Sequence, residues 1–251
     1  MMELALGFAI AVLIAITGVG AGSLIAPLLI LFLHVPVAEA VGTALVYSAA
    51  VKFVVVPVQI WKRNVEWKTL GLILATGLPG VALGSFIFQR VAHNEANNFW
   101  LYMALGVMIV VSSAWHIYRH FRPAGELARR SDSKGWLAIV MLPIGAEVGF
   151  SSSGAGALGT LALLGLTPLD VRRVVGTDLA FGLCLSVVGG TLHLHSAGLN
   201  ASLLINLIVG GVLGGMVGAG LASRIPVRAM RLALSLWLLA MGVQLCWHAL
   251  A

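Results

Sequence analysis

The sequence predicts an all-α, polytopic integral membrane protein built from two inverted-topology repeats. Each repeat is expected to hold a broken helical hairpin followed by three transmembrane helices. Three observations carry that prediction: an apolar composition, a glycine skeleton that recurs at one fixed offset, and the placement of Lys and Arg in the loops. Of the 251 residues, 60% are hydrophobic and only 10% are charged, and the mean hydropathy is +1.02. A chain this apolar is not an ordinary water-soluble domain. The formal charge of +6 does not point to nucleic acid, because the basic residues stand in short loops between apolar runs, as membrane topology requires. Cys184 and Cys246 lie inside apolar segments, with no disulfide framework and no CxxC motif, so no metal site and no cofactor is expected. Residues 4–16 are as apolar as a signal-peptide core. They lack a basic n-region and run on past any cleavage point, so they are read as mature chain.

The repeat is legible in the glycines. Gly20-Ala21-Gly22 and Gly154-Ala155-Gly156 are the same tripeptide 134 residues apart. Without a gap, Gly42-Thr43 falls on Gly176-Thr177, Leu45 on Leu179, Gly77 on Gly211, Gly80 on Gly214, Gly84 on Gly218 and Arg90 on Arg224. Glycine is hard to replace where backbones approach closely or leave the helix, so a duplicated glycine skeleton implies a duplicated backbone path. The expected division is a first membrane repeat at 1–118, a cytoplasmic linker at 119–134 and a second repeat at 135–251, together one transport domain.

In chain order, Leu4 to Leu33 is one apolar run. A straight helix of that length rises about 45 Å against about 30 Å of hydrocarbon, whereas two full spans need roughly 40 residues. The break at Thr17–Ser23, with Pro27 after it, resolves the misfit as two short helices. Non-helical backbone at membrane depth is tolerated only inside protein or along a cavity. A polar loop at 34–39 precedes a span at 40–61, with a kink expected at Pro57. A loop flanked by Trp61 and Trp67 leads to spans at 68–89 and 98–118. The second half repeats the plan: the Ser151–Gly156 break within 136–166, a loop at 167–173, and spans at 174–195, 200–222 and 230–250.

Orientation follows from charge. Loops 62–68 and 119–134 hold Lys62, Arg63, Lys68, Arg119, Arg122, Arg129, Arg130 and Lys134, whereas the loop between the intervening spans holds Arg90. The first two are expected in the cytoplasm. If 135–166 returns as a hairpin, Arg172, Arg173, Arg224, Arg228 and Arg231 are cytoplasmic too; a single crossing would put all five outside. The hairpin is preferred. Equivalent loops then face opposite sides, and both termini lie outside. Inverted repeats with a broken helix at matching places point to a secondary transporter whose site is near the midplane.

The chemistry of such breaks is direct. A helix that begins at a break presents N–H groups without intrahelical partners, and its dipole adds partial positive charge. Two such ends converging make an anion site. Thr17, Gly18, Gly20, Gly22 and Ser23 at the first break, and Ser151, Ser152, Ser153, Gly154 and Gly156 at the second, are therefore expected to bind substrate. Gly80/Gly84 and Gly214/Gly218 are better read as tight helix packing.

Gly18–Gly22 followed by Pro27, then Ala38-Glu39-Ala40-Val41-Gly42-Thr43-Ala44-Leu45 and its copy Leu169-Asp170-Val171-Arg172-Arg173-Val174-Val175-Gly176-Thr177-Asp178-Leu179, resemble the TauE/SafE family of membrane permeases, often called sulfite exporters. The resemblance covers nearly the whole chain. It implies a multi-pass protein of the bacterial cytoplasmic membrane that transports sulfite, sulfoacetate or another sulfonate. It also brings the duplicated pairs Gly42-Thr43 and Gly176-Thr177 into the expected site. Ala21 and Ala155 interrupt the consecutive glycines common in the family, and Leu161 stands where a proline matching Pro27 would be.

Buried ionisable residues are costly in a bilayer and so mark function. Lys52, midway along its span, either offers charge to an anion or pairs with Glu147. Glu147 and Asp178 are the proton-coupling candidates, although Asp178 is read first as a cap on an unwound helix start or a partner of Arg172 or Arg173. Thr43 and Lys52 stand about 180° apart on a regular helix. Either Gly42-Thr43 is unwound, or Lys52 belongs to a separate Ser48–Lys52–Gln59 stripe. His193 and His195, spaced i,i+2, read as interfacial residues rather than metal ligands. The expected partners are a small anionic substrate and membrane lipid, with a homo-oligomer left open. An anion channel shares the architecture. An intramembrane serine hydrolase would use Ser151–Ser153 with His193 or His195, but lacks a Gly-x-Ser-x-Gly elbow.

Overall fold

The computed structural model describes residues 2–17, 21–93, 98–121, 133–153, 156, 158–194, 200–221 and 227–250. The described residues form an all-α fold: α1 (Met2–Thr17), α2 (Ala21–Leu33), α3 (Val37–Trp61), α4 (Trp67–Ala92), α5 (Asn98–Phe121), α6 (Lys134–Ser151), α7 (Leu158–Leu166), α8 (Val171–Leu194), α9 (Ala201–Leu221) and α10 (Val227–Leu250). Helix is what apolar runs must adopt in hydrocarbon, where every backbone group has to be satisfied within its own segment. Val37–Trp61, Trp67–Ala92, Val171–Leu194, Ala201–Gly218 and Leu232–Leu250 are long and apolar enough to cross a membrane. Glu3–Leu13, Leu24–Leu33 and Phe99–Trp115 are shorter apolar stretches.

Several boundaries differ from the sequence reading. The break is narrower than Thr17–Ser23, since Thr17 ends α1 and Ala21, Gly22 and Ser23 already lie in the first turn of α2. Val37–Glu39 and Val171–Arg173 are helical rather than loop, because Glu39 can sit favourably at a positive helix start and Pro36 stands immediately before α3. The helix α5 runs on to Phe121, so the described part of the expected linker is shorter; residues 122–132 of it lie outside the described residues.

The end of α3 shows how a loop without glycine is made. Arg63 takes φ 55°, its N–H donates to Ile60 O at 2.9 Å, and the Asn64 N–H donates to Gln59 O at 3.0 Å. These are the two bonds of a Schellman termination, here built on an arginine. The turn aims Asn64 and Glu66 at α8.

Helix pairs meet through glycine. A Cβ at Gly80 would strike Leu142 O and one at Gly84 would strike Ala146 O, so α4 and α6 touch along their backbones. On the other side, Gly214 lies against Phe8 O and Gly218 against Val12, bringing α9 onto α1. In the 134-residue register Leu142 matches Phe8 and Ala146 matches Val12, so the two pairs are counterparts. Gly77 against the Phe181 ring and Gly211 against the Tyr47 ring form another such pair. With no hydrophobic drive between helices in lipid, this close van der Waals contact is what holds them together.

At the centre α3 packs on α8. Gly190 approaches Val46, Gly189 approaches Leu45, Lys52 reaches Ser186, and Gly176 faces Asn64 O just beyond the end of α3. The pairing runs antiparallel. The same is true of α5 and α10, where Tyr102 stacks on His248, Gly106 meets Cys246, and Gly242 meets Val110.

Candidate functional site

Most of the buried polar groups among the described residues lie on α3 and α8 and at the end of α6. α3 and α8 are continuous helices, so Gly42-Thr43 and Gly176-Thr177 are not unwound. With α3 regular, Lys52 belongs with Ser48. Lys52 Nζ donates to Ser186 Oγ at 3.2 Å, and Ser186 Oγ donates to Ser48 Oγ at 3.2 Å. All three are at least nine-tenths buried. Lys52 therefore does not form the alternative pair with Glu147.

Asp178 is 3% exposed and lies at the start of α7. Thr160 Oγ1, in the first turn of that helix, donates to Asp178 Oδ2 at 2.6 Å. Gly156, just before α7, takes φ 111°. A Cβ at Gly159 would land on Asp178 Oδ1, and no hydrogen bond reaches that oxygen. Asp178 thus packs against the first turn of α7, while Arg173 pairs with Glu66 at 3.2 Å and with Asp170 at 3.7 Å.

The serines after α6 form a compact chain. Ser152 takes the left-handed conformation, φ 61°, and its N–H donates to Val148 O at 2.9 Å. That turn brings Ser151 Oγ and Ser153 Oγ to 2.6 Å from each other. Ser153 Oγ then donates to Glu147 Oε1 at 3.4 Å. Glu147 faces a cavity of about 470 Å³ lined also by Trp115, Pro143, Ile144, Leu161 and Leu166. Ser152 Oγ is buried without a hydrogen-bond partner, as is Thr43 Oγ1 on α3.

Thr177 Oγ1 accepts the Glu66 N–H at 2.9 Å, and Gly176 lies against Asn64 O. Both therefore fasten α8 to the start of α4. On the far side the Asn200 N–H donates to Glu39 Oε1 at 3.0 Å. Glu39 and Asn200 are the register counterparts of Arg173 and Glu66. Of the first-break residues, Gly22 and Ser23 are in the first turn of α2 and Thr17 closes α1, whereas Gly18 and Gly20 lie outside the described residues, as do Gly154 and His195. His193 Nδ1 lies 2.9 Å from Gly189 O and its ring rests against Phe88. Among the described residues no three of His, Cys, Asp and Glu converge as a metal site requires.

Sequence reading missed Ser186 and Thr160. Ser186 was within reach: it is the position that the 134-residue register assigns to Lys52.

Residues 3–245 match the family model described as sulfite exporter TauE/SafE. The chain belongs to the TauE/SafE family. A relative in Bacillus subtilis (strain 168), named probable membrane transporter protein YjnA, is 26% identical over 247 residues, covering 96% of this chain and 97% of that protein. No solved structure matches significantly. TauE/SafE membership and the membrane-length helices together make this a multi-pass integral membrane protein of a transporter family.

Proposed function

We propose that this protein is a secondary transporter that moves a small sulfur-containing anion, such as sulfite, sulfoacetate or a related sulfonate, across the bacterial cytoplasmic membrane by alternating access. The anion is held near the midplane by helix N-termini at the two breaks and by the hydroxyls beside them. The observation that carries this reading is the α7 start. There the Thr160 hydroxyl donates to one oxygen of the Asp178 carboxyl and Gly159 approaches the other closely, which is chemistry a small oxyanion can use.

Inverted halves are supported by the antiparallel pairing of the register counterparts α3 with α8 and α5 with α10. They are also supported by the exchange of contacts that puts α4 on α6 and α9 on α1. Rocking of one half against the other then exposes the anion to each side in turn. The Ser153–Glu147 bond gives Glu147 a route for a coupling proton that starts at the cavity.

The test is flux in proteoliposomes over sulfite, sulfate, thiosulfate, taurine, sulfoacetate and lactate. Saturable uptake of one or more of the sulfur oxyanions, competed by the others, is expected. Flux of neutral apolar solutes with none for the anions overturns the proposal.

A further inference from the structure

We infer that the Asp178 carboxylate is a tethered occupant of the α7 anion site, and that a substrate anion binds there by displacing it. The inference rests on the anion reading above and names the residue that sets occupancy of the site. Four observations carry it. The carboxylate accepts the hydroxyl of Thr160 in the first turn of α7, as a free oxyanion would. Its other oxygen, Oδ1, is buried, has no hydrogen bond and lies against Gly159, so the cradle is shaped around an oxygen it does not fully satisfy. The same helix also meets a fixed cation, because Lys52 Nζ bonds Ser186 Oγ about two turns along α8 from Asp178. Finally, the arrangement is one-sided: the register counterpart of Asp178 is Ala44, so the first half carries no tethered acid at that place.

A permanent occupant of this kind keeps a positive helix start compensated while no substrate is present. It also lowers apparent affinity by the fraction of time that the site is filled. An occupant present nine parts in ten weakens binding about tenfold. Removing its charge therefore strengthens binding, which is the opposite of what loss of a ligand or a structural cap does.

The experiment compares sulfite binding to the detergent-purified wild-type chain, D178N and D178A by calorimetry, with formate as a second probe. The expected result is about tenfold tighter sulfite binding by both variants. Formate should also raise the melting temperature of D178A, where it replaces the missing carboxylate, and leave that of wild type unchanged. If D178A folds poorly, purification in formate should restore its yield. Wild type that binds sulfite while both variants bind it equally or more weakly overturns the inference and leaves the anion reading standing. A D178A yield or melting temperature indifferent to formate also overturns it. Absence of sulfite binding by all three proteins removes the inference and the anion reading together.

Discussion

Lys52 on α3 donates a 3.2 Å hydrogen bond to Ser186 on α8, and the two residues are separated by 134 positions, the interval that relates the halves. A cation of one repeat thus rests on the hydroxyl that the other repeat places at the same point. Equivalent positions meet where equivalent helices cross, so this bond marks the centre of the molecule.

This predicts a graded response to substitution at the crossing. Ser186→Ala removes one hydrogen bond to a charged group, a loss of about 1–3 kcal/mol. At this chain length each kcal/mol shifts the melting midpoint by roughly 2–4 °C. Lys52→Met removes the buried ammonium that donates to Ser186 and leaves an apolar side chain beside the Ser186 and Ser48 hydroxyls, and should lower the midpoint further. Thermal unfolding in detergent measures both. K52M melting like wild type would show that the ammonium is not held at this crossing.

The glycine contacts give a second test. Gly84→Ala places a methyl against the Ala146 carbonyl, and Gly218→Ala places one against Val12. Both should lower the melting midpoint and the yield, because backbone cannot yield as a side chain can. Gly71, inside α4, has nothing near its Cβ position. Gly71→Ala should therefore be neutral or stabilising, by up to about 1 kcal/mol of helix propensity.

Membrane orientation can be read by labelling single cysteines in a background lacking Cys184 and Cys246. A cysteine at Arg63 and one at Asp170 should react with an impermeant maleimide only from the cytoplasmic side. A cysteine at His34 or Asn200 should react only from outside. Labelling of Arg63 and Asp170 positions from opposite sides contradicts inverted halves.

Much of the fold was legible because hydropathy and register report on backbone path. Six of the helices fall where apolar runs of span length predict them, namely α3, α4, α5, α8, α9 and α10, and α6 and α7 divide the run in which a broken hairpin is expected. Helix ends were less legible. Val37–Glu39 and Val171–Arg173 carry charges that look like loop, yet Glu39 suits a positive helix start and Arg173 is offset by Glu66 and Asp170. The candidate site was only partly legible. Lys52, Glu147 and Asp178 stood out as charges in apolar runs, but Thr160 looks like any small polar residue in a short helix. Its role depends on Asp178 folding back across a turn, which spacing alone does not show.

Glu147 offers a prediction about coupling. Its carboxyl meets Ser153 on one side and the cavity on the other. Glu147→Gln keeps the shape and a hydrogen-bond acceptor while removing the proton exchange. The variant should still exchange substrate for substrate across a proteoliposome membrane, but should no longer accumulate it when a pH gradient is imposed. Loss of both activities would assign Glu147 to the site's structure instead.

The central claim is carrier transport of a small sulfur oxyanion, and counterflow tests it most directly. Proteoliposomes loaded with unlabelled sulfite are diluted into a trace of radiolabelled sulfite with the membrane potential clamped at zero. The account predicts a transient overshoot of internal label that vanishes when the liposomes are loaded with a neutral solute. Label that rises steadily to its equilibrium level, with the same course whatever the liposomes contain, contradicts it.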